Sequence, residues 1–204
     1  MDGYRVNHIF YSLQGEGRNT GCAAAFVRFA GCNLRCPFCD TEFDTYRTMT
    51  GEEIVQAIDA LVMADGSLPA VLPQVVLTGG EPTLQADEAF IDLLHSHGYE
   101  VAMESNGTRP APRNLDWLTV SPKEEGMPKG ASSGKQPDEL KIVFDEHTDP
   151  QAILDTLASQ TSMTIPQLCF LQPCDTGDAK RNAVLMKHCI DYIKSHPRWR
   201  LSLQ

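Results

Sequence analysis

The sequence predicts an α/β fold, a partial barrel of about six mostly parallel strands with outer helices. Short apolar segments alternate with amphipathic helical segments along the chain, and this alternation is typical of right-handed βαβ units. A complete eight-stranded barrel takes about 250 residues, whereas this chain has 204. Because no repeat or linker divides the sequence, we expect a single domain over residues 1–204.

The predicted strands are short apolar segments that end at turn residues. In chain order they are Ala24–Ala30, Gln74–Thr78, Tyr99–Glu104, Trp117–Val120, Leu140–Phe144, Leu168–Leu171 and Trp199–Leu203. The polar residues 123–137 are rich in Gly, Pro and Lys, so we expect a mobile loop there.

The predicted helices begin and end at capping residues. Thr50 and Glu53 can form a capping box at the start of the first helix, and Gly98 can end the second. In chain order the helical segments are Thr50–Ala64, Gln85–His97, Pro150–Ser159 and a helix within Gly177–Ser195.

Composition and charge exclude several classes of function. The chain has 17 basic and 27 acidic residues and a net charge of −10, which argues against a broad nucleic-acid-binding face. No apolar run approaches the roughly 18 residues of a membrane span, and the N-terminal residues lack the pattern of a secretory signal. We therefore expect a cytoplasmic protein that binds neither nucleic acid nor a membrane.

Three of the seven cysteines form a compact motif. Cys32, Cys36 and Cys39 have the spacing C-x3-C-x2-C, so that three thiolates can meet at one metal centre. Ferredoxin-type clusters use four cysteines, and a cluster held by three keeps one iron open, as a catalytic metal site requires. The alternative is a structural zinc site with Asp40, a histidine or another cysteine as its fourth ligand.

The other four cysteines are not expected to bind this metal. Cys169 lies in an apolar strand and Cys189 on the apolar stripe of the last helix, so both are predicted core residues. Cys22 and Cys174 have no predicted function, although Cys174 could approach the site from the end of a strand.

Polar and glycine-rich segments follow the predicted strands, at the edge where parallel α/β folds bind their ligands. This placement predicts one large site. Besides the cysteine loop, the segments are Gly79-Gly80-Glu81-Pro82, Glu104-Ser105-Asn106-Gly107, Ser121-Pro122-Lys123 and Gln172-Pro173.

The cysteine motif, with Phe38 before its last cysteine, resembles that of the radical S-adenosylmethionine superfamily. The resemblance implies a [4Fe–4S] cluster on Cys32, Cys36 and Cys39, whose open iron binds the amine and carboxylate of S-adenosylmethionine. Reduction by an external flavodoxin-like or ferredoxin-like donor then yields a 5′-deoxyadenosyl radical. The cofactor-binding residues that it implies are Phe38, Gly80, Glu81, Ser105, Asn106, Ser121, Lys123, Gln172 and Pro173.

A narrower resemblance, to the 7-carboxy-7-deazaguanine synthases, extends over residues 13–204. It implies a lyase of queuosine and 7-deazapurine biosynthesis that contracts the ring of 6-carboxy-5,6,7,8-tetrahydropterin, with loss of ammonia. It also implies Mg²⁺ and a homodimer. An alternative within the superfamily is an activating enzyme that makes a glycyl radical on a partner protein. The matching segments are residues 13–17, 26–28, 39–41, 78–82, 104–108, 121–123, 138–141, 171–173 and 199–204.

The resemblance also implies a substrate-binding set, which consists of Leu13, Gln14, Gly15, Glu16, Arg28 and Thr78. In this set Gly15, like the nearby Gly17, allows the backbone to approach a flat heterocycle. Gln14 and Glu16 can pair with its polar edge.

Arg28 lies between apolar neighbours and should face a carboxylate. The resemblance makes this the carboxylate of the substrate, and a structural ion pair is the alternative. The resemblance implies Thr41 as the Mg²⁺ ligand, although Asp40 is the better ligand on chemistry alone. Lys141 is expected to pair internally, with Glu139 or Glu104, outside the site. In these synthases a tail beyond Leu-Ser-Leu-Gln contributes to the substrate site, and the sequence leaves open how the pocket is completed here.

Overall fold

Nine strands form one mixed sheet in the computed structural model, which describes residues 3–39, 41–42, 44–63, 66–123 and 134–203. The strand order is β3-β1-β2-β4-β5-β6-β7-β8-β9. Neighbouring strands from β2 to β9 are parallel, and β1 is antiparallel to both β2 and β3. The predicted α/β class with a mostly parallel sheet is therefore confirmed. The strands are β1 (Tyr4–Leu13), β2 (Ala23–Phe29), β3 (Arg47–Met49), β4 (Gln74–Gly79), β5 (Val101–Ser105), β6 (Trp117–Val120), β7 (Glu139–Phe144), β8 (Leu168–Pro173) and β9 (Trp199–Leu201).

The two antiparallel strands were not predicted from the sequence. A bulge between Val6 and His8 shifts the register of β1 against β2, so that the buried residues Val6 and Ile9 are three positions apart. A strand is recognised in a sequence by a period of two, and the bulge removes that period. The other strand, β3, has only three residues.

The four helices agree with the prediction to within two residues at each boundary, except at the start of the second helix. They are α1 (Gly51–Val62), α2 (Glu88–Ser96), α3 (Pro150–Gln160) and α4 (Ala179–Ser195). The capping box of α1 is confirmed. The second helix begins later than predicted, because the side chain of Asp87 caps it and the amide of Gln85 binds the backbone of Arg5 and Ala30 instead. Among the described helices, none is long and apolar enough to cross a membrane.

The alternation of side chains along the parallel strands gives the sheet two different faces. In β7, Leu140 and Ile142 belong to the apolar core, whereas Lys141 lines a cavity on the opposite face. The predicted core cysteines Cys169 and Cys189 are both fully buried. The face that lines the cavity, here called the inner face, is polar near the carboxyl ends of the strands. It can therefore bind a polar ligand.

The loop after β1 shows that the sheet curves. The backbone N–H of Gly17 donates to Ser202 Oγ at 3.1 Å, although β1 and β9 lie near opposite ends of the strand order. The N–H of Arg18 donates to Glu139 Oε2 in β7 at 2.9 Å. The loop thus joins both sides of a partial barrel.

Candidate active site

One cavity brings together most of the predicted site residues, at the carboxyl ends of the parallel strands. The predicted residues that line it are Glu16, Arg28, Cys32, Cys36, Phe38, Cys39, Thr41, Thr78, Gly80, Ser105, Asn106, Ser121, Lys123 and Gln172. The other lining residues, to which the prediction gave no binding role, are Leu34, Gly79, Glu104, Lys141, Val143, Cys174 and Asp175. The site is therefore built from segments across nearly the whole chain.

The three cysteines of the motif all line this cavity. A turn in which Cys39 N donates to Cys36 O at 3.1 Å shapes the loop, and Leu34 N donates to Cys32 Sγ at 3.4 Å. Burial raises the pKa of the Cys32 thiol. Three thiol donors in one cavity fit a cluster with one open iron, in which each thiolate binds a different metal atom.

A site in which three side chains bind one and the same metal ion differs from such a cluster. Within the described part of the chain, no three His, Cys, Asp or Glu side chains are placed to hold one ion together. Asp40, which was the alternative ligand for zinc or Mg²⁺, lies outside the described residues.

The turn after β4 holds the start of the cysteine loop through backbone hydrogen bonds. Gly80 N donates to Phe29 O at 3.1 Å, and Glu81 N donates to Gly31 O at 2.9 Å. A Cβ atom on Gly80 would lie 2.1 Å from Gly31 O and 3.0 Å from Cys32 Cβ. A glycine is therefore required for these two loops to meet.

The substitution Gly80→Ala is expected to displace the cysteine loop. The backbone must shift to make room for the added Cβ atom, and this shift should lower the free energy of unfolding by about 2 kcal/mol. It should also reduce the amount of iron bound after reconstitution. Chemical denaturation and iron analysis measure the two effects. Gly15→Ala is the control, since its Cβ meets no atom within 4 Å; an equal loss in both variants would contradict the explanation.

Glu81 is not brought into the cavity, although the sequence analysis placed it against the cofactor. Its side chain is fully buried. It accepts hydrogen bonds from the N–H and hydroxyl of Thr83, from Ser105 Oγ at 2.8 Å and from Asn106 N at 2.8 Å. Glu81 therefore fixes the two cavity residues at the end of β5 and is itself shielded from a ligand.

Most of the Leu-Gln-Gly-Glu-Gly segment also lies outside the cavity. Leu13 is 62% exposed, and Gln14 and Gly15 do not line the cavity, to which Glu16 alone of these residues contributes. The glycine at position 17 is needed for a different reason, because its Cβ would lie 2.0 Å from Glu139 Oε1. Likewise Pro173 does not line the cavity, whereas Gln172 does, since successive residues of a strand face opposite sides.

Arg28 and Thr41 meet on the wall of the cavity. Arg28 Nη1 donates to Thr41 Oγ1 at 2.8 Å, and its guanidinium lies 6.0 Å from the centre of the Phe10 ring. Among the described residues, no carboxylate forms an ion pair with Arg28. The remaining guanidinium donors are therefore suited to an anionic group within the cavity.

A second cation, Lys123, lies on the side of the cavity formed by β6. Its Nζ donates to Ser121 Oγ at 2.6 Å and is 5.7 Å from the centre of the Phe38 ring. Burial lowers the pKa of Lys123, and the nearby charge of Lys141 lowers it further.

Lys141 is the main site residue that sequence reasoning missed, and Glu104 was predicted only as part of a site segment, without a binding role. Lys141 forms ion pairs with Glu16 and with Glu104, whose Oε2 is 2.8 Å from Nζ. The expected internal pairing with Glu104 is thus present, but it lies inside the site. The available signal was the position of Lys141, a charged residue between Leu140 and Ile142 in a strand.

Glu139 is a buried carboxyl group next to this cluster. Burial raises its pKa to about 7, against the opposing hydrogen bond from Arg18 N. Since the folded protein holds this proton more tightly than the unfolded chain does, the contribution to stability is complete below the ordinary glutamate pKa. It is lost as the pH rises through about 7.

The substitution Glu139→Gln is expected to reduce the loss of stability that occurs as the pH rises. The wild-type free energy of unfolding should fall by about 3 kcal/mol more than that of the variant between pH 5 and pH 8. Urea denaturation across this range measures the difference. Glu100→Gln, at an exposed position, is the control, and parallel curves for wild type and Glu139→Gln would contradict the prediction.

Comparisons with known proteins agree with this architecture. A model of the radical SAM superfamily matches residues 26–120. The chain is 42% identical over 200 residues to the 7-carboxy-7-deazaguanine synthase of Bacteroides thetaiotaomicron, with 98% of this chain and 94% of that protein covered. It is 41% identical over 220 residues to that of Nitratidesulfovibrio vulgaris, with 98% and 95% covered. The crystal structure of QueE from Escherichia coli superimposes with a TM-score of 0.75 and 27% identity, covering 99% of this chain and 94% of that one. The chain therefore belongs to the 7-carboxy-7-deazaguanine synthase family of the radical SAM superfamily.

Proposed function

We propose that this chain catalyses the 7-carboxy-7-deazaguanine synthase reaction in the cavity described above. The substrate is 6-carboxy-5,6,7,8-tetrahydropterin, and ring contraction releases ammonia. The observation that carries the proposal is that one cavity is lined by three cysteines and by Arg28, which has no carboxylate partner among the described residues. Identity of about 40% over nearly the full length supports it.

Membership of the superfamily implies a [4Fe–4S] cluster and S-adenosylmethionine. In this proposal Cys32, Cys36 and Cys39 hold the cluster. When bound, the cluster and S-adenosylmethionine together supply a radical that removes a hydrogen atom from the substrate.

The remaining walls suit the polar groups of S-adenosylmethionine. The backbone at Gly79 and Gly80 lies beside Cys32 and allows close approach of the methionine part. Ser105, Asn106 and Ser121 offer hydroxyl and amide groups. Phe38 offers an aromatic face for the adenine, and Gln172 closes the opposite side.

Arg28 is assigned to the carboxylate of the pterin. A guanidinium that already donates to Thr41 Oγ1 keeps further donors for a paired, charge-assisted contact. Glu16 and Glu104 can accept from the amino and ring N–H groups of the pterin, and Thr78 lies on the same wall.

Thr41 is assigned to Mg²⁺. Its hydroxyl oxygen accepts from Arg28, and Mg²⁺ takes oxygen ligands together with water. Because Arg28 contacts this hydroxyl group, Thr41 and Arg28 would hold the ion and the substrate carboxylate next to each other, and metal binding would then depend on substrate binding. A cation there would assist catalysis by fixing the orientation of the substrate.

Other features of the function stay predictions. They are a flavodoxin-like or ferredoxin-like electron donor, a homodimer and a cytoplasmic location. The residues that line the cavity lie in strands of one sheet or in loops that adjoin these strands, which supports a single domain over residues 1–204.

An anaerobic assay tests the proposed function. Reconstituted protein is mixed with reductant, S-adenosylmethionine, Mg²⁺ and 6-carboxy-5,6,7,8-tetrahydropterin, and the product is followed by chromatography and mass spectrometry. We expect 7-carboxy-7-deazaguanine, in a yield that depends on Mg²⁺. Cleavage of S-adenosylmethionine without this product, at full cluster content, would refute the assignment.

A further inference from the structure

Lys141 occupies the centre of a buried charged cluster that the proposed cofactor contacts leave unexplained. Its side chain is only 8% exposed, and its Nζ contacts carboxylates from two separate elements. Glu16 belongs to the loop after β1, and Glu104 belongs to β5. Burial lowers the pKa of Lys141, but the charges of Glu104 and Glu16 outweigh burial and raise it above the ordinary lysine value.

The contacts fix which oxygens face the lysine. Lys141 Nζ donates to Oε2 of both Glu16 and Glu104. On Glu16 the other oxygen, Oε1, accepts from Gln172 Nε2 at 3.3 Å. On Glu104 it faces Gln14 Nε2 at 3.5 Å, which is too long for a strong hydrogen bond. Each carboxylate thus has a defined orientation, and each lines the cavity.

Two carboxylates at one site repel each other, and one of them tends to take up a proton. A cation between them removes this tendency and fixes their separation. We propose that Lys141 is a positioning residue, which holds the carboxylates of Glu16 and Glu104 side by side against the N–H edge of the pterin. The inference rests on the proposed function, because it concerns the substrate of that reaction.

The charges around the cluster set the sign of the expected pH effect. Glu16, Glu104 and Glu139 contribute carboxyl groups, and Lys123 is the other nearby cation. Without Lys141, three carboxyl groups face one lysine, and a carboxyl group without its cation takes up a proton more readily. A protonated carboxyl group has one acceptor fewer for the substrate.

The test compares Lys141→Met, Lys141→Arg and wild type as cluster-loaded enzymes. In Lys141→Met the acid limb of the kcat/KM profile for the pterin should move up by about one pH unit or more, with about a tenfold loss at a fixed pH on that limb. Lys141→Arg keeps the positive charge, so the acid limb of its kcat/KM profile should stay at the wild-type pH. The value of kcat/KM should still fall, because a planar guanidinium differs in shape from an ammonium group. Infrared difference spectra of unreduced protein should show a protonated carboxyl band in Lys141→Met in addition to that of Glu139, which wild type and Lys141→Arg share.

The matched control is Lys135→Met. Lys135 also forms a partly buried ion pair, with Asp138 at 3.1 Å, but it does not line the cavity, and its profile should coincide with that of wild type. An unshifted limb in Lys141→Met, or an equal shift in Lys141→Arg, would overturn the inference. If Lys141→Met does not fold, the acid limb of the Lys141→Arg profile tests the inference: a limb at the wild-type pH supports it, and a shifted limb overturns it. If wild type forms no product, the proposed function itself fails, and the infrared comparison still tests the charge of the cluster.

Discussion

Replacement of Cys32, Cys36 or Cys39 by alanine is expected to abolish the formation of 5′-deoxyadenosine. Each thiol lines the same cavity, and a cluster that starts with three protein ligands has no spare one. Within the described residues, the only other cysteine that lines this cavity is Cys174, which follows β8 on a different segment. Iron and sulfide analysis after anaerobic reconstitution, together with chromatographic detection of 5′-deoxyadenosine, measures the loss.

Two other cysteines serve as controls for this prediction. Cys22 is exposed, and Cys169 is buried in the core. Cys22→Ala should behave as wild type, whereas Cys169→Ala should keep its cluster and lose about 1 kcal/mol of stability through the small cavity that it leaves. Full cluster content in Cys36→Ala, or loss of the cluster in Cys169→Ala, would show that the ligand set is wrong.

The position of the site could be predicted from the sequence because topology determines it. Parallel strands place their carboxyl ends along one edge, so segments as distant as Thr78 and Gln172 had to meet once the strands were recognised. The cysteine motif could be predicted for a local reason, since its spacing alone brings the thiols together. Both predictions depend on the backbone and not on the direction of one side chain.

The direction of individual side chains could not be predicted in the same way. Glu81 follows β4 and Ser105 is the last residue of the neighbouring β5, yet Ser105 lines the cavity and Glu81 supports it from behind. A turn can direct a carboxylate to either side, and four protein donors decide the matter for Glu81. Lys141 was missed because its place in the site depends on ion pairs with Glu16 and Glu104, and only the curved sheet brings these three residues together.

Arg28→Met is expected to lower kcat/KM for the pterin by about 100- to 1,000-fold. Loss of one partner of a desolvated, hydrogen-bonded charge pair costs about 2–5 kcal/mol, and each 1.4 kcal/mol is a factor of ten. Lys141 cannot replace the guanidinium, because its ammonium already pairs with Glu16 and Glu104. Steady-state kinetics at saturating S-adenosylmethionine measure the effect, most of which should be a rise in KM.

The contact between Arg28 and Thr41 adds a second consequence to this substitution. Since Arg28 Nη1 orients the hydroxyl group of the proposed Mg²⁺ ligand, Arg28→Met should also raise the Mg²⁺ concentration that is needed for half-maximal rate. Arg18→Met is the matched control, because Arg18 likewise lies over an aromatic ring, that of Trp117 at 4.4 Å, and does not line the cavity. If both variants raised KM equally, the loss would come from disturbed packing on the inner face of the barrel. An unchanged KM in Arg28→Met would assign the substrate carboxylate to another cation of the cavity. Lys123 would then be the candidate, because it lines the cavity and, among the described residues, forms no ion pair with a glutamate.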